Sequence, residues 1–208
     1  MQSVKAQMMK FVIAITAVLA LIALALPALA ENMEPASVRN CTWCHGASAQ
    51  GYAPAPRLAG QRSQYTENQL ASFHTHTRDN PFSKQYMWAA AANLSPSTMH
   101  YLAVYFSKEL PKAANDGDKE LAASGKTLFE DGNPAANKVS CAVCHGPNAE
   151  GIRDIPRLGG LSYDYLKRKL AQWKEGYHAA AKIPMPGIAS KLSSNEIEAL
   201  ASYLSFVK

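Results

Sequence analysis

Apolar residues recur at helical spacing in two segments of the chain, one near its middle and one at its carboxyl end. Each segment begins with residues suited to starting a helix: Ser95 precedes Pro96, and Ser193 stands three residues before Glu196 in a capping-box pattern. The apolar residues on the two faces are Met99, Leu102, Ala103 and Phe106 in the first segment and Ile197, Leu200, Ala201 and Leu204 in the second. This spacing predicts two amphipathic helices, each with one buried face.

Further helices are predicted in the second half of the chain. Leu166, Leu170 and Trp173 mark one of them, and the residues from Glu120 to Phe129 form another. No segment alternates polar and apolar residues between hairpin turns. The pattern therefore predicts an all-α fold.

The amino-terminal residues have the pattern of an export signal. Lys5 and Lys10 precede an uncharged apolar run at 11–26, and small residues follow it up to Ala30. We predict a cleavable signal peptide at 1–30, which implies a periplasmic protein. A retained membrane anchor is the alternative, because the run lies near the lower limit of about 17 residues for a spanning helix.

The two halves of the remaining chain repeat one another. Cys41-Thr-Trp-Cys44-His45-Gly46 recurs one hundred positions later as Cys141-Ala-Val-Cys144-His145-Gly146, and Pro56-Arg57-Leu58-Ala59-Gly60 recurs as Pro156-Arg157-Leu158-Gly159-Gly160. Beyond position 173 the second copy is two residues shorter, so that Met87 matches Met185. The repeat predicts two domains of one kind.

The boundary between the two domains is predicted from composition. The stretch from Leu110 to Asp118 contains the Pro, Gly, Asn and Asp residues that are typical of a linker. The predicted segments are a signal peptide at 1–30, an N-terminal domain at 31–110, a linker at 111–118 and a C-terminal domain at 119–208.

The charge of the chain gives no indication of nucleic-acid binding. Loss of Lys5 and Lys10 with the signal peptide would leave 19 basic residues against 16 acidic ones. No stripe of Lys and Arg with interleaved aromatic residues is present, so we expect no nucleic-acid partner and no stable membrane insertion after cleavage.

Each Cys-x-x-Cys-His motif has the spacing that attaches c-type haem, because two thiols on one turn can add to the two vinyl groups while the adjacent His reaches the iron. The motif residues are Cys41, Cys44 and His45 in the first copy and Cys141, Cys144 and His145 in the second. A thioredoxin-like redox pair, a zinc site and disulfides are the alternatives. A redox pair leaves the His after each motif unexplained, and a zinc site built from both halves would break the independence of the copies. We therefore predict two covalent haem c groups, with His45 and His145 bound to the irons.

The sixth iron ligand decides whether an iron is closed to substrates. The candidates are Met33, Met87, Met99, His74, His76 and His100 in the first copy and His178 and Met185 in the second. Met87 and Met185 occupy equivalent positions, whereas Met99 lies on a predicted buried face and His100 is expected to be solvated. We therefore predict Met87 and Met185 as ligands. Both could instead fill the core, and bis-His ligation through His74 or His76 is the rival in the first copy.

Residues around these ligands have predicted supporting roles. Prolines on both sides of Met185 are expected to hold an extended backbone that presents the sulfur. The carbonyls of Pro56 and Pro156 can accept a hydrogen bond from the ring of each axial His, although both prolines could simply shape a turn. Arg57 and Arg157 are candidates for binding haem propionates, with exposed arginines as the alternative.

The whole pattern resembles the cytochrome c4 family. The shared features are two Cys-x-x-Cys-His-Gly motifs, two Pro-Arg-Leu-x-Gly segments, a Met seven residues before Leu-Ser, and a final Tyr-bearing helix. The resemblance covers nearly all of the chain after the predicted signal. It implies two tandem class I cytochrome c domains related by a pseudo-two-fold axis, His/Met ligation at both irons, and a proline carbonyl bonded to each axial His. The chain departs from the family before Cys41, where a shortened amino-terminal helix is expected.

The favoured function is a periplasmic electron carrier, and not an enzyme, that moves electrons from a respiratory donor to a terminal oxidase or reductase. An alternative is the dihaem electron-accepting subunit of a periplasmic dehydrogenase, such as a sulfide-oxidising flavocytochrome. A dihaem peroxidase is a third hypothesis, against which the paired methionines and the short chain argue.

Overall fold

The computed structural model describes residues 36–52, 54–177 and 183–208. The predicted signal peptide and two candidate ligands, Met33 and His178, lie outside the described residues. Within them the chain is helical and has no β-strand, only isolated bridges. The all-α prediction is confirmed.

Helices of different lengths make up the described chain. The first repeat contains α1 (Ala36–His45), α2 (Ser63–His74), a π-helical turn (Ser83–Met87), α3 (Trp88–Ala91) and α4 (Pro96–Lys108). The second repeat contains α5 (Lys119–Asp131), a 3₁₀ turn (Pro134–Ala136), α6 (Ala142–His145), α7 (Tyr163–Lys174), α8 (Met185–Ala189) and α9 (Ser194–Phe206). By compactness the chain divides into Met1–Arg39 and Asn40–Lys208, and the contacts described below lie within the second unit.

The predicted caps fix where the two final helices begin. Ser95 accepts a hydrogen bond from the backbone N–H of Thr98 at the start of α4, where Pro96 occupies the first turn. At the start of α9, Ser193 and Glu196 form both hydrogen bonds of a capping box. These bonds satisfy N–H groups that a helix leaves without partners at its amino end, so both helices begin where the sequence predicts.

The core of the second repeat lies between α5, α7 and α9. Helix α9 packs on both α5 and α7, and in the first repeat α4 packs on α2 in the same way. The buried residues of the second-repeat core are Leu128, Phe129, Ala149, Leu161, Leu166, Leu192, Ile197, Leu200, Ala201 and Leu204. Both predicted apolar faces are therefore buried, including Met99 in α4, which is 5% exposed.

The segment between α4 and α5 is bound along its length to both repeats. The backbone N–H of Lys112 donates to Gln50 Oε1, and the backbone N–H of Asn115 donates to the carbonyl of Ser205. Farther along, Ser205 Oγ and Ser202 Oγ accept from the backbone N–H groups of Gly117 and Asp118. A segment with linker composition is thus fixed in place, and the predicted domain boundaries on either side of it stay predictions.

The two repeats differ on the amino-terminal side of their motifs. Helix α5 ends at Asp131, well before Cys141, whereas α1 runs into the first motif and ends on His45 itself. The described part of the first repeat therefore has no separate helix in the position of α5. The expected shortening concerns residues that lie partly outside the described chain, and it stays a prediction.

The crossing of α5 and α9 depends on Gly125. A Cβ at this position would collide with the backbone carbonyl of Ala199 in α9. We expect Gly125→Ala to lower the free energy of unfolding by about 1–3 kcal/mol, because the helices would have to move apart. Chemical denaturation of the holoprotein measures this change.

Gly187→Ala is the matched control, since a Cβ at Gly187 in α8 would have no neighbour within 4 Å. Equal stability of the two variants would show that α5 and α9 do not approach as closely as described.

Candidate functional site

Both Cys-x-x-Cys-His motifs end a helix at a sharp turn. Helix α1 ends at His45 and α6 ends at His145, and the glycine that follows each His has a positive φ, +83° at Gly46 and +81° at Gly146. The carbonyl of each His then accepts a hydrogen bond of 2.8 Å, from the N–H of Gly51 or Gly151. The two repeats therefore fold the residues after the motif into the same loop.

This loop brings a proline carbonyl to each motif His. His45 Nδ1 lies 2.7 Å from the carbonyl oxygen of Pro56, and His145 Nδ1 lies 3.0 Å from that of Pro156. A carbonyl can only accept, so Nδ1 holds the proton in both rings. Nε2 is then left as the atom that can bind a metal.

Burial keeps these two rings neutral. Each His is 6% exposed. Desolvation lowers the pKa of His45 and of His145 below the ordinary value, although the proline carbonyl opposes the shift. A neutral, oriented imidazole is the form that binds iron.

Two glycines at equivalent positions of the repeat, Gly51 and Gly151, are necessary for the loop. Gly51 and Gly151 have φ of +76°, and a Cβ at either would press on the backbone of the following Pro-Arg pair. The sequence indicates this role only through the equal spacing of the two glycines from their motifs. Only the loop geometry shows that they let the proline carbonyl approach the ring.

The cysteines have the features of attachment thiols more than of redox thiols. All four are free of disulfides, with Cys41 and Cys141 half-buried and Cys44 and Cys144 exposed. Burial, with a contribution from the neighbouring cysteine, raises the pKa of both Cys41 and Cys141 to about 11. A thioredoxin-like nucleophile needs a lowered pKa. The described residues also contain no group of three or more His, Cys, Asp or Glu side chains placed to hold a metal ion, as a zinc site requires.

In the second repeat, Cys141 and Met185 line one apolar cleft. The other apolar residues of its lining are Leu128, Val139, Leu170, Ile188, Leu192 and Leu200. A thiol and a thioether on the walls of an apolar cleft suit a flat apolar group with an iron at its centre. The residues present therefore fit a covalently attached haem.

The backbone at Met185 differs from the prediction. Pro184 is in the helical region, with φ −71° and ψ −16°, and Met185 begins the short helix α8. The expectation of an extended Pro-Met-Pro segment was wrong, because the fixed φ of proline suits the first turn of a helix and Pro186 has no N–H that this turn would need to bond.

In the first repeat the structure places Met87 at the end of the π-helical turn, half-buried. The two alternative ligands, His74 and His76, lie nearby in the sequence but contact other groups. His74 Nδ1 lies 3.1 Å from the carbonyl oxygen of Ala91, and the His76 ring stacks on Trp88 with centroids 4.0 Å apart. The sixth ligand in this repeat stays a prediction. The prediction that His100 is solvated is confirmed, because its side chain is 66% exposed. Its Nδ1 lies 2.9 Å from Glu67 Oε2.

Arg57 joins the two repeats. Its side chain is 5% exposed, so the alternative of an exposed arginine is wrong here. Its guanidinium donates to the carbonyls of Ala59, Lys112, Gly159 and Gly160. Four of its five N–H groups are used in this way, which leaves one for a haem propionate.

Arg157 has a different environment from its counterpart. It is half-buried, and its Nε is buried without a hydrogen-bond partner among the described residues. Desolvation lowers the pKa of Arg157. A half-buried guanidinium whose buried Nε is an unused donor is suited to an acidic group, so the propionate prediction remains for Arg157.

An all-helical chain with two such motifs, each holding a buried His that a carbonyl orients, defines a class of protein. It is a c-type cytochrome with two covalent haem groups. Comparison with known proteins gives the same class.

The family model for cytochrome c matches residues 30–107 and 122–208. Cytochrome c4 from Thiocapsa roseopersicina is 32% identical over 79% of this chain and 85% of the relative. A thiosulfate dehydrogenase electron acceptor from Stutzerimonas stutzeri (strain A1501) is 35% identical over 80% of this chain and 78% of the relative. The solved structure of cytochrome c4 from Acidithiobacillus ferrooxidans matches with a TM-score of 0.75 and 32% identity, covering 81% of this chain and 99% of that chain.

The chain therefore belongs to the cytochrome c family, among its dihaem cytochrome c4 members. It is an electron-transfer protein with two covalent haem c groups. The resemblance seen in the sequence motifs is confirmed. Among the residues that the structure describes, no helix is both long and apolar enough to cross a membrane.

Arg57 can be tested as a link between the repeats. We expect Arg57→Met to lower the free energy of unfolding by at least about 2 kcal/mol, because hydrogen bonds from a charged group are worth about 1.5–3 kcal/mol each. The variant should also unfold in two thermal transitions where the wild type shows one. Differential scanning calorimetry of the holoprotein measures both changes.

Arg62→Met is the control, since Arg62 is an exposed arginine close to the same segment. A single, unshifted transition for Arg57→Met would contradict the linking role.

Proposed function

We propose that this chain is a periplasmic carrier of single electrons in which His45 with Met87, and His145 with Met185, hold the two haem irons. The observation that supports it best is the pair of buried His rings, each oriented by a proline carbonyl. We also propose that residues 1–30 form a signal peptide, that the two haem domains span residues 31–110 and 119–208, and that residues 111–118 link them.

Each haem, when bound, would supply an iron that exchanges one electron between its ferrous and ferric states. The residues of the chain fix the surroundings of that exchange. The carbonyls of Pro56 and Pro156 orient the His rings and increase their basicity, and the paired cysteines prevent loss of the group. Two methionine sulfurs would close the remaining positions and raise the potentials, so that no substrate binds at the iron.

Ligation by the two methionines is tested by substitution. Ferric haem with an iron–methionine bond has a weak absorption band in the near-red, and wild type should show this band for both haems. We expect Met87→Ala and Met185→Ala each to lose half of its intensity, because each removes one sulfur. Absorption per haem of the purified ferric proteins measures this.

Met99→Ala provides the control for loss of a buried methionine. Met99 is packed in the core between α2 and α4, so its substitution should lower stability and leave the band intact. A wild-type band for only one haem that is lost in Met185→Ala and kept in Met87→Ala would show that the assignment of Met87 is wrong and would favour His74 or His76.

The partners of an electron carrier are other redox proteins. A respiratory donor and a terminal oxidase or reductase form our primary proposal. The similarity to a thiosulfate dehydrogenase electron acceptor supports a second candidate, in which the chain accepts electrons from one periplasmic dehydrogenase. The two candidates differ in whether the donor is one dedicated enzyme.

Kinetics with purified components separate these candidates. The reduced holoprotein is mixed with membranes that contain a cytochrome c-dependent oxidase, and the oxidised holoprotein is mixed with thiosulfate and a thiosulfate dehydrogenase. The shuttle role predicts rapid, cyanide-sensitive oxidation in the first mixture, followed by stopped-flow absorbance. Rapid reduction in the second mixture with no oxidation in the first would favour the dedicated acceptor.

A further inference from the structure

The turn that follows α2 contacts the short helix that begins directly after Met87. His76 lies in this turn, and its ring stacks on the ring of Trp88 with centroids 4.0 Å apart and an angle of 14° between the planes. Trp88 is the first residue of α3 and the chain neighbour of Met87. A contact that fixes Trp88 therefore also restricts where the sulfur of Met87 can lie.

Two hydrogen bonds hold the same short helix. The indole Nε1 of Trp88 donates to the carbonyl of Arg78 at 2.9 Å. At the end of α2, Nδ1 of His74 donates to the carbonyl of Ala91, the last residue of α3, at 3.1 Å. We refer to the stack and these two hydrogen bonds as the α2–α3 clamp. Helix α3 is thus held at both of its ends.

The backbone of His76 has a conformation that suits glycine better than histidine. Its φ is +61°, in the left-handed region. The equivalent residue of the second repeat is Gly176, with a φ of +86°. Both turns have the same backbone hydrogen bond, from His76 to Phe73 and from Gly176 to Trp173, each at 3.1 Å. The turn by itself therefore does not need a histidine, whereas the stack on Trp88 does.

The stacking partner also differs from its counterpart in the second repeat. Met87 and Met185 are equivalent, so the residue that matches Trp88 is Pro186. Met185 stands between two prolines at the start of α8, and their fixed φ restricts the backbone on both sides of it. Met87 has no proline beside it. In the first repeat the clamp can supply the restriction that the prolines supply in the second.

The chain before Met87 is anchored separately. Asn80 Oδ1 accepts from the backbone N–H of Ser83 at 3.1 Å, and Asn80 Nδ2 donates to Ser83 Oγ at 2.7 Å. Both residues are buried. The π-helical turn begins at Ser83 and ends at Met87. The segment that carries Met87 is therefore fixed on one side by this buried pair and on the other side by the clamp.

We propose that His76 and Trp88 are positioning residues that hold the sulfur of Met87 on the iron of the first haem and slow its replacement by other ligands. This inference rests on the proposed ligation of that iron by Met87. The stacked ring acts on the methionine through Trp88 and does not itself bind the iron. An aromatic pair is strong enough to change the opening of such a bond by roughly two- to tenfold.

Removal of the ring should make the first haem easier to open. Imidazole added to the ferric holoprotein replaces a methionine ligand, and the near-red band decreases as it binds. We expect His76→Gly to increase the rate of imidazole binding at the first haem by roughly two- to tenfold and to leave the second haem unchanged. Stopped-flow absorbance of the near-red band measures both rates, and the phase that is missing in Met87→Ala belongs to the first haem.

Glycine adopts the φ of this position without strain, so distortion of the turn would not explain a faster rate. His100→Gln is the control, because it removes an exposed histidine of the same repeat and should leave the rate unchanged. If His76→Gly does not yield holoprotein, His76→Asn replaces it, since asparagine also tolerates a left-handed backbone.

A double-mutant cycle tests whether His76 acts through Trp88. Trp88→Leu removes the stack and the bond to Arg78, so it should increase the rate at the first haem at least as much as His76→Gly does. The double variant should be no faster than Trp88→Leu, because both substitutions remove the same stack.

The results separate the clamp from the assignment of the ligand. Wild-type rates in His76→Gly holoprotein that has both near-red ligations, or fully additive effects in the cycle, would overturn the positioning role and leave Met87 as the ligand. A wild type without near-red ligation of the first haem would overturn the assignment of Met87 and this inference with it.

Discussion

The hydrogen bond between each motif His and a proline carbonyl is the interaction on which the rest of the structure depends. It requires the ring to be buried, neutral and fixed in one tautomer, with Nε2 free for iron. It also requires the chain to reverse tightly after the motif, which only a glycine with positive φ permits at Gly51 and Gly151. The covering helices then pack around a histidine whose orientation is already set.

The two copies are joined by hydrogen bonds that do not follow the symmetry of the repeat. Gln61 donates to the carbonyl of Arg157 and accepts from its backbone N–H, and Arg57 binds carbonyls of the second repeat. Among the described residues, the Arg157 side chain makes no equivalent set of bonds, although Arg157 occupies the same position in its own copy. The two copies of the domain are thus asymmetric at the surface where they meet, and equivalent residues make different contacts there.

This asymmetry matters for an electron carrier because charge near a haem changes its potential. Two equivalent haem sites would have equal potentials if their surroundings were equal. The guanidinium of Arg57 lies buried at the contact between the repeats, where its charge is screened less than it would be at the surface. Electrostatic differences of this kind can set the direction in which an electron moves between two otherwise similar sites.

The sequence by itself determined the helical fold, the two haem attachment motifs, the caps at Ser95 and Ser193 and the buried faces that follow them. These features depend on residues close together in the chain, where periodicity and cap chemistry act locally. Only the tertiary structure decided the burial of Arg57, the helical backbone at Met185 and the binding of the 111–118 segment to both repeats. Each of these results from partners far away in sequence, or from packing around the residue, and a local pattern contains no information about them. The sequence paired Arg57 with Arg157 as equals, but the physical role of each was fixed by which carbonyls the fold brought within reach of its guanidinium.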